Sequence, residues 1–303
     1  MRRRGQRWRS AERPLPRRRS ASGRARALRG FLSTGDAAIE DLRFEFGRNW
    51  ASFSRLVDEE RIREAEARLR KLLDRPSLEG LAFLDVGCGS GLHALAALRL
   101  GAAQVTAVDL DPHSVATARA LLKDQARCTV LQADALHLPP TLGRFDVVYS
   151  WGVLHHTGHM HRAIRAVAGH VKPGGLLALA LYGKTPYCGL WTRIKRWYVR
   201  ATPSQRARAE RLYIRAYGAY LLLRGKRLSA HIAEYHRKRG MDFYHDVRDW
   251  IGGYPYESIR PGELRALLEP LGFTLAQQNV RRRSGLFGSG NDEFLFQRTA
   301  DSP

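Results

Sequence analysis

The sequence predicts an α/β protein built on a doubly wound, mostly parallel β-sheet. Three observations carry this prediction. Short apolar strand patterns alternate with helical patterns from residue 81 to residue 182, an order typical of a parallel sheet covered by helices. The first strand pattern runs directly into a Gly-rich loop and a helix. The chain has 303 residues, 44% of them hydrophobic, which suffices for one large domain of this type with an insertion.

The predicted elements follow one another in a regular order. Asp58 and the acids behind it predict the N-cap of a first helix. Strand patterns cover 81–86, 104–109, 128–132, 145–150 and 176–182, and helix patterns cover 92–100, 112–123 and 161–171. Another helix starts at Pro261, and the runs 273–280 and 292–299 predict a hairpin that closes the sheet. Between the strand pattern at 176–182 and the helix at Pro261, the residues Thr202 to Gln205 form a capping-box pattern that opens a further helix.

The basic residues are concentrated in two segments. The formal net charge is +22, and most of it comes from residues 1–30 and 183–239. We expect a disordered basic tail over 1–35, a core over 36–182 together with 255–300, and a basic helical insertion over 183–254. The tail is rich in Arg and Ser and poor in acids, so an organelle transit peptide remains an alternative. Such charge favours a polyanionic partner, either nucleic acid or an anionic membrane surface.

Cysteine content and hydropathy bear on the compartment. The three cysteines have no paired spacing, which favours a reducing, cytoplasmic compartment over a disulfide-rich secreted class. No apolar stretch approaches the roughly 18–20 residues that span a bilayer. We therefore expect a cytoplasmic protein that at most lies on the inner face of a membrane.

The Gly-rich loop indicates a cofactor that approaches the backbone at a helix N-terminus. Its glycines are Gly87, Gly89 and Gly91, and Leu92 stands where the dinucleotide fingerprint has Gly or Ala. Asp85 precedes the loop, where an acid would repel a pyrophosphate and attract a cationic amino-acid group. These features argue against a nicotinamide-dependent oxidoreductase.

Two further acids follow the next two strands. Asp109 ends the second strand, where it can accept hydrogen bonds from both hydroxyls of a ribose. Asp134 ends the third strand, at the height of an adenine amine. A non-catalytic adaptor that merely binds a cofactor is an alternative, although it would not need all three strand-end acids.

These motifs resemble those of a known enzyme family. The residues LDVGCGSG at 84–91 are similar to motif I of the class I S-adenosylmethionine-dependent methyltransferases, and VDLDP at 108–112 is similar to their second motif. FDVVYSWGVLHH at 145–156 and VKPGG at 171–175 resemble the ubiquinone/menaquinone methyltransferase-like branch. The resemblance covers about residues 80–182.

The resemblance implies a seven-stranded sheet with an antiparallel last strand and S-adenosylmethionine as cofactor. It also implies a role for each matching position: Gly87 and Gly89 under the methionyl group, Asp109 on the ribose, Leu110 beside the adenine, Asp134 at the adenine amine and Ser150 facing the amino group. Asp85 and Ala135 complete the predicted cofactor site.

The acceptor of the methyl group is expected to be a small or lipophilic molecule, methylated on oxygen. His156 follows the fourth strand and is the predicted general base, because a histidine near neutral pKa suits proton transfer; His245 is the second candidate. The nearby His159 and His161 lack a carboxylate or Cys that would complete a ligand set, so no metal site is predicted. The aromatic run 241–256 is either a pocket wall or a capped helix with a tyrosine-rich turn.

The insertion contains a pattern typical of an interfacial helix. Trp191, Ile194, Trp197 and Tyr198 share one helical face, and Arg193, Lys195, Arg196 and Arg200 lie elsewhere around the helix. This pattern favours an anionic membrane surface as partner. RNA is the less favoured alternative, because no RNA-binding signature is present. A third interpretation is an apolar face buried on the sheet.

Overall fold

The computed structural model of the protein describes residues 44, 58–239, 242–280, 287 and 290–299. The predicted tail over 1–35 lies outside the described residues. Within them the chain folds around one seven-stranded sheet, flanked by α-helices. The elements are, in chain order, α1 (Glu59–Leu73), β1 (Ala82–Val86), α2 (Leu92–Arg99), β2 (Gln104–Asp109), α3 (Pro112–Leu121), β3 (Cys128–Gln132), β4 (Phe145–Trp151), α4 (Met160–Ala168), β5 (Val171–Tyr182), α5 (Cys188–Arg200), α6 (Pro203–Leu223), α7 (Leu228–Arg239), α8 (Phe243–Gly252), α9 (Pro261–Leu268), β6 (Phe273–Asn279) and β7 (Asn291–Arg298).

The sheet has the strand order β3-β2-β1-β4-β5-β7-β6. β1 to β5 are mutually parallel, with Leu84 of β1 opposite Thr106 of β2 and Val148 of β4. β7 runs antiparallel to both of its neighbours, with Leu295 opposite Ala178 of β5. The predicted doubly wound sheet with an antiparallel last strand is confirmed.

Alternate residues of each strand supply two apolar cores, one on each face of the sheet. Phe83 belongs to the core under α1 and α2, together with Leu69 and Ala96. The next residue, Leu84, belongs to the opposite core under α4 and α9, which includes Ile164. Strands buried on both faces read as continuous apolar runs, which explains why they were recognisable in the sequence.

α1 begins and packs as its sequence predicts. The Asp58 side chain accepts a hydrogen bond from the Arg61 backbone N–H at 2.9 Å, which satisfies one of the free amides at the helix start. Its buried residues are Ile62, Ala65, Leu69, Leu72 and Leu73. This helical spacing fixes which face of α1 turns toward the sheet.

The segment between β5 and α9 forms four helices, α5 to α8. Its predicted capping box is present: Thr202 and Gln205 exchange hydrogen bonds between their side chains and backbone N–H groups, with Pro203 in the first turn. The helices share an apolar cluster of their own, which includes Tyr198, Phe243 and Ile251. They add a wall to one edge of the sheet.

The prediction that the apolar face of α5 contacts a membrane is wrong. Trp191 is only 3% exposed and Tyr198 is buried as well, because Trp191 packs edge-on against Trp250. Lys195, expected away from the apolar face, is fully buried. Of the predicted aromatics, Trp197 is exposed. The α5 pattern therefore reflects packing within the insertion.

A helix able to cross a bilayer is not found among the residues that the structure describes.

Candidate functional site

A cavity of about 690 Å³ opens at the carboxyl ends of the parallel strands. The turns after β1, β2, β3 and β4 form its floor, and α1 and the insertion form its walls. This edge of a doubly wound sheet is where ligands bind, because the strand order reverses there and leaves a crevice. Of the predicted site residues, the cavity is lined by Gly87, Gly89, Asp109, Leu110, Asp134, Ala135 and His156.

The Gly-rich loop has a shape that only glycine adopts without strain. Gly87 has φ +76° and Gly89 has φ +53°, in the left-handed region. A Cβ on Gly87 would lie 2.4 Å from Cγ1 of Val153, which follows β4. The backbone of the loop therefore passes close to the turn after β4, and only a glycine fits at position 87.

Asp109 connects the end of β2 with this loop. One carboxylate oxygen accepts a hydrogen bond from the Gly89 N–H and the other accepts one from the Asp111 N–H, each at 2.9 Å. Burial raises the pKa of Asp109, and these backbone donors oppose the shift. A carboxylate has about four acceptor positions, and the Leu110 N–H also acts on Asp109, so about one position remains for a ligand hydroxyl.

An apolar and an acidic side chain follow the next strand ends. Leu110 is exposed although it is a large apolar residue, and it lines the cavity beside Ala135. The Asp134 carboxylate accepts from the Leu136 N–H at 2.9 Å and lies 3.3 Å from the His137 imidazole. A flat apolar surface next to an acceptor fits a purine ring with an exocyclic amine.

Asp85 and Ser150 do not line the cavity. Ser150 is buried in β4 and donates its hydroxyl hydrogen to the Val86 carbonyl oxygen at 2.9 Å. Asp85 is buried in β1, and its Oδ2 has no hydrogen-bond partner among the described residues. Burial, followed by the charge of Asp109, raises the pKa of Asp85 to about 7. Their predicted contacts with an amino group stay predictions.

α1 contributes polar residues that the sequence did not indicate. Arg61, Glu64 and Arg68 recur at helical spacing and line the cavity. The Oε2 atom of Glu64 is buried and has no hydrogen-bond partner among the described residues. A group with both a carboxylate and an ammonium would find complementary charges on this face. The apolar spacing of α1 implies that its opposite face is polar. From the sequence, this polar face would be expected to contact solvent and not a cavity.

His93 at the start of α2 lies beside the same wall. Its ring is 5.2 Å from that of Tyr149 and 6.2 Å from that of Trp151. Burial, followed by the charge of Arg68, lowers the pKa of His93 to about 4. The ring is therefore neutral at physiological pH and closes the floor as an aromatic group.

His156 reaches the cavity from the turn after β4. Its Nδ1 lies 2.6 Å from the Pro255 carbonyl oxygen. Burial, followed by the charge of Lys195, lowers the pKa of His156 to about 3, whereas hydrogen bonds to the backbone of Pro255 and Gly253 favour the protonated ring. The near-neutral pKa expected for this histidine is therefore wrong, and the imidazole, which lines the cavity, is neutral at physiological pH.

His245 does not line the cavity. It lies in the first turn of α8, where its Nδ1 is 2.8 Å from an Asp242 carboxylate oxygen. The same oxygen accepts the backbone N–H groups of Tyr244 and His245. The side chain therefore takes part in the helix cap, and its role as the alternative base stays a prediction.

Aromatic side chains of the insertion line the end of the cavity near His156. They are Tyr213, Tyr217, Tyr235, Phe243, Trp250 and Tyr254, and Phe44 joins them. The backbone N–H of Phe44 donates to the Tyr254 carbonyl oxygen at 3.0 Å. The aromatic run 241–256 is thus both a capped helix and a pocket wall, which unites the two alternatives from the sequence. Met241 lies outside the described residues.

The described residues contain no group of three or more His, Cys, Asp or Glu side chains that could hold a metal ion.

The geometry fits S-adenosylmethionine. Asp109 and Asp134 can accept from the ribose and the adenine amine, and the glycines of the loop bring backbone without side chains to the cavity. The unpartnered Glu64 oxygen can accept from an ammonium. These residues could hold the two polar ends of the cofactor, with its reactive centre between them.

Comparisons with known proteins agree with this geometry. Residues 83–175 match the family model described as "Methyltransferase domain". The chain is 42% identical over 108 residues to the ribosomal protein L11 methyltransferase of Dechloromonas aromatica, covering 36% of this chain and 34% of the relative. It is 40% identical over 124 residues to the ubiquinone biosynthesis O-methyltransferase of Xanthomonas campestris pv. campestris, covering 39% and 50%.

The match to these curated relatives spans between a third and a half of their length. A solved structure, that of PKMT2 from Rickettsia typhi in complex with AdoHcy, has a TM-score of 0.54 and 13% identity, covering 79% of this chain and 53% of the other. This likeness concerns the fold. The matched residues contain the Gly-rich loop and the strand-end acids, and the chain therefore contains a class I S-adenosylmethionine-dependent methyltransferase domain.

Proposed function

We propose that the protein transfers the methyl group of S-adenosylmethionine to a hydroxyl of a small or lipophilic acceptor. The observation that carries the proposal is that one cavity is lined both by the cofactor-type residues and by His156 with the aromatic side chains of the insertion. A methyltransferase needs both binding places in one space, because cofactor and acceptor must meet without leaving the protein.

When bound, S-adenosylmethionine supplies an electrophilic methyl group on a sulfonium sulfur. The chain has to hold and orient the two reactants, which lowers the barrier by at most about 7–11 kcal/mol. Asp109 holds the ribose, Leu110 and Asp134 hold the adenine, and the polar face of α1 faces the amino-acid end. The hydrogen bond that Asp109 accepts from the Gly89 N–H ties the end of β2 to the Gly-rich loop.

The acceptor end is suited to a flat apolar molecule. Its aromatic side chains give area for stacking, and Asp246 and Asp249 of α8 add two carboxylates to the same lining. The names of the two curated relatives point to different acceptors: one names ribosomal protein L11 and the other names ubiquinone biosynthesis. The matched segment thus specifies the cofactor, and the insertion has to select the acceptor.

His156 is the proposed base for the acceptor hydroxyl. The Pro255 carbonyl can only accept a hydrogen bond, so Nδ1 carries the hydrogen that faces it. The backbone hydrogen bonds beside the ring favour the imidazolium, but burial and the charge of Lys195 outweigh them. With a pKa of about 3 the ring is neutral and weakly basic, so in this proposal it takes the proton in concert with methyl transfer.

Calorimetry and a labelled-cofactor screen test the proposal together. We expect S-adenosylhomocysteine to bind and NAD not to bind. Extracts treated with the protein and methyl-labelled cofactor should yield a labelled small molecule that is sensitive to His156→Gln. Binding of NAD without binding of S-adenosylhomocysteine would overturn the assignment. Binding of S-adenosylhomocysteine without any labelled product would favour a non-catalytic adaptor.

An anionic membrane surface is the proposed partner of the insertion, through α6 instead of the predicted face of α5. Leu212, Leu222 and Leu223 are 70%, 65% and 88% exposed, a costly arrangement in water. Leu212 and Leu222 lie at helical spacing with the exposed Arg208 and Arg215. An apolar strip with cationic flanks is complementary to anionic lipid, each basic residue near the surface contributing about 1 kcal/mol. The protein would encounter a lipophilic acceptor at that membrane surface.

A further inference from the structure

Lys195 of α5 is a buried cation beside the acceptor end of the cavity, and the proposed function does not use it. Its side chain is 0% exposed, and its ammonium donates to the Trp250 carbonyl oxygen. The ammonium lies 4.0 Å from the ring centroid of Trp250, 4.9 Å from that of Tyr256 and 5.9 Å from that of Tyr182. Three π-faces and one carbonyl thus replace the water that a charged group needs.

Two of the three rings around Lys195 belong to the site. Trp250 and Tyr182 line the cavity, so Lys195 contacts the cavity wall from behind. The Tyr182 ring lies 5.3 Å from the His156 ring, edge to face, and 3.8 Å from the His155 ring. A change at Lys195 therefore reaches the proposed base through one intervening aromatic ring.

Three separate segments meet at this ammonium. Tyr182 is the last residue of β5, Trp250 belongs to α8, and Tyr256 follows α8 in the chain. The Tyr182 ring is 5.5 Å from that of Trp250 and 5.3 Å from that of Tyr256.

We propose that Lys195 is a positioning residue for the acceptor: its charged side chain holds Trp250 and Tyr182 in the arrangement that forms the cavity wall beside His156. The kinetic consequences rest on the proposed function. The structural and electrostatic consequences do not, because they concern the rings and imidazoles themselves.

The charge state of Lys195 depends on groups from every segment around it. His155 and His156 lie on one side, and Asp246 and Asp249 of α8 act from the other. Burial lowers the pKa of Lys195 to about 7, against the opposing effect of the two aspartates. The charge of Lys195 in turn lowers the pKa of His156. The cation is thus present below about pH 7 and lost as the pH rises through that value.

The kinetic test compares Lys195→Met with wild type, using the acceptor that the labelled-cofactor screen yields. Methionine keeps the length of the side chain and removes its charge, a change that buried sites often tolerate. We expect the acceptor KM to rise about tenfold with a smaller change in kcat, and the affinity for S-adenosylhomocysteine to stay the same. In wild type the KM should rise as the pH passes 7, and this dependence should vanish in the variant. Lys195→Arg, which keeps a cation, should restore part of the KM.

A second measurement is independent of activity. The NMR signals of His156, assigned by their loss in His156→Gln, should titrate at higher pH in Lys195→Met than in wild type, because a nearby positive charge is gone. Lys123→Met, at a lysine whose side chain is 73% exposed, is the matched control and should change neither the titration nor the KM.

Two outcomes would overturn the positioning role. One is an unchanged His156 titration in Lys195→Met. The other is a loss of kcat alone, without an effect on the acceptor KM. If no acceptor is ever methylated, the proposed function fails while the titration still decides the role of Lys195. If Lys195→Met does not fold, Trp250→Leu, which removes the nearest ring, should raise the acceptor KM in the same way, and an unchanged KM there contradicts the proposal.

Discussion

The Nδ1 nitrogen of His156 lies 2.6 Å from the carbonyl oxygen of Pro255 and thereby joins the turn after β4 to the chain that follows the insertion. One hydrogen bond fixes both the tautomer of the imidazole and the position of its ring. It also places the proposed base on a turn of the sheet, which is rigid, and in contact with the insertion, which supplies the acceptor wall.

The first prediction concerns this imidazole. His156→Gln should lower the rate of methyl transfer to a hydroxyl by about 10²–10⁴-fold, the usual contribution of a general base, and leave S-adenosylhomocysteine binding unchanged. With a pKa near 3, the base is neutral above about pH 4. The pH profile should therefore lack an acid limb near 6.5.

His245→Gln is the comparison variant for that experiment. It should leave the pH profile as in wild type, because His245 lies at the Asp242 cap. A loss of transfer in His245→Gln with normal transfer in His156→Gln would move the role of base to His245. Normal profiles in both would mean that orientation of the acceptor suffices.

The second prediction concerns Asp109. Asp109→Ala removes the acceptor of the Gly89 and Asp111 N–H groups along with the proposed ribose contacts. Hydrogen bonds to a charged group contribute about 1.5–3 kcal/mol each, so we expect S-adenosylhomocysteine to bind at least about 100-fold more weakly in calorimetry.

An analogue without ribose hydroxyls separates the two roles of Asp109. The analogue should bind to wild type more weakly than S-adenosylhomocysteine does. The two ligands should bind to Asp109→Ala with the same weak affinity. If the analogue and the parent differ as much in the variant as in wild type, Asp109 only orders the loop.

The third prediction concerns the buried acid Asp85. Its pKa of about 7, raised by burial, lies above the unfolded value of 3.8, so the folded state binds the extra proton between these values. Stability from this group is present below pH 3.8 and is lost as the pH rises toward 7. Asp85→Asn should therefore raise the Tm at pH 8, by about 2–4 °C for each ~1 kcal/mol of this penalty that the substitution removes.

The same substitution tests the predicted role of Asp85 in cofactor binding. If its charge attracts the amino group, Asp85→Asn should weaken S-adenosylhomocysteine at pH 8 while it stabilises the free protein. Stabilisation without loss of affinity would make Asp85 a structural residue of β1. Thermal melts at pH 5 and pH 8, each with and without the ligand, separate these outcomes.

The sequence predicted the sheet and the cofactor end of the site because both depend on local patterns. Strands β1 to β5 are apolar runs, and Gly87, Gly89 and Asp109 occupy fixed places relative to them. The Thr202 capping box was equally local. Such features are specified within a few residues of the chain, so no knowledge of tertiary contacts was needed.

The acceptor end was less predictable because it depends on contacts between distant segments. Lys195 was placed away from the apolar face of α5 by helical spacing alone, yet Trp250, Tyr182 and Tyr256 surround it. The pattern of α5 could not reveal that aromatic faces would receive a cation. Likewise, the polar side of α1 carries Glu64 into the cavity, where the spacing suggested solvent.

The fourth prediction concerns the close approach of Gly87 to Val153. Gly87→Ala would place a Cβ 2.4 Å from Val153 Cγ1 at φ +76°. Gly80→Ala is the matched control, because Gly80 has the same φ and open space around its Cα. Both variants carry the cost of a positive φ, and only Gly87→Ala adds a clash, which typically costs about 1–3 kcal/mol.

Denaturant unfolding should show the larger loss of stability in Gly87→Ala. Adding Val153→Ala should recover part of the difference, because it removes both γ-methyl groups from the contact. Equal losses in the Gly80 and Gly87 variants would mean that the loop relaxes away from Val153. Binding of S-adenosylhomocysteine should follow the same order as the stability.

The last prediction concerns the exposed strip of α6. Leu222→Gln combined with Leu223→Gln removes apolar side chains that are largely exposed, so the fold should be unaffected. Co-sedimentation with vesicles containing phosphatidylserine should fall at least about tenfold, whereas neutral phosphatidylcholine vesicles should bind weakly in both cases. Arg208→Gln with Arg215→Gln should weaken both the binding to the anionic vesicles and its salt dependence, since basic residues act through the surface potential.

Deletion of residues 1–30 measures how much the basic tail contributes to vesicle binding. Binding that disappears with the tail alone, or tight and salt-sensitive RNA binding without vesicle binding, would remove the membrane role of α6.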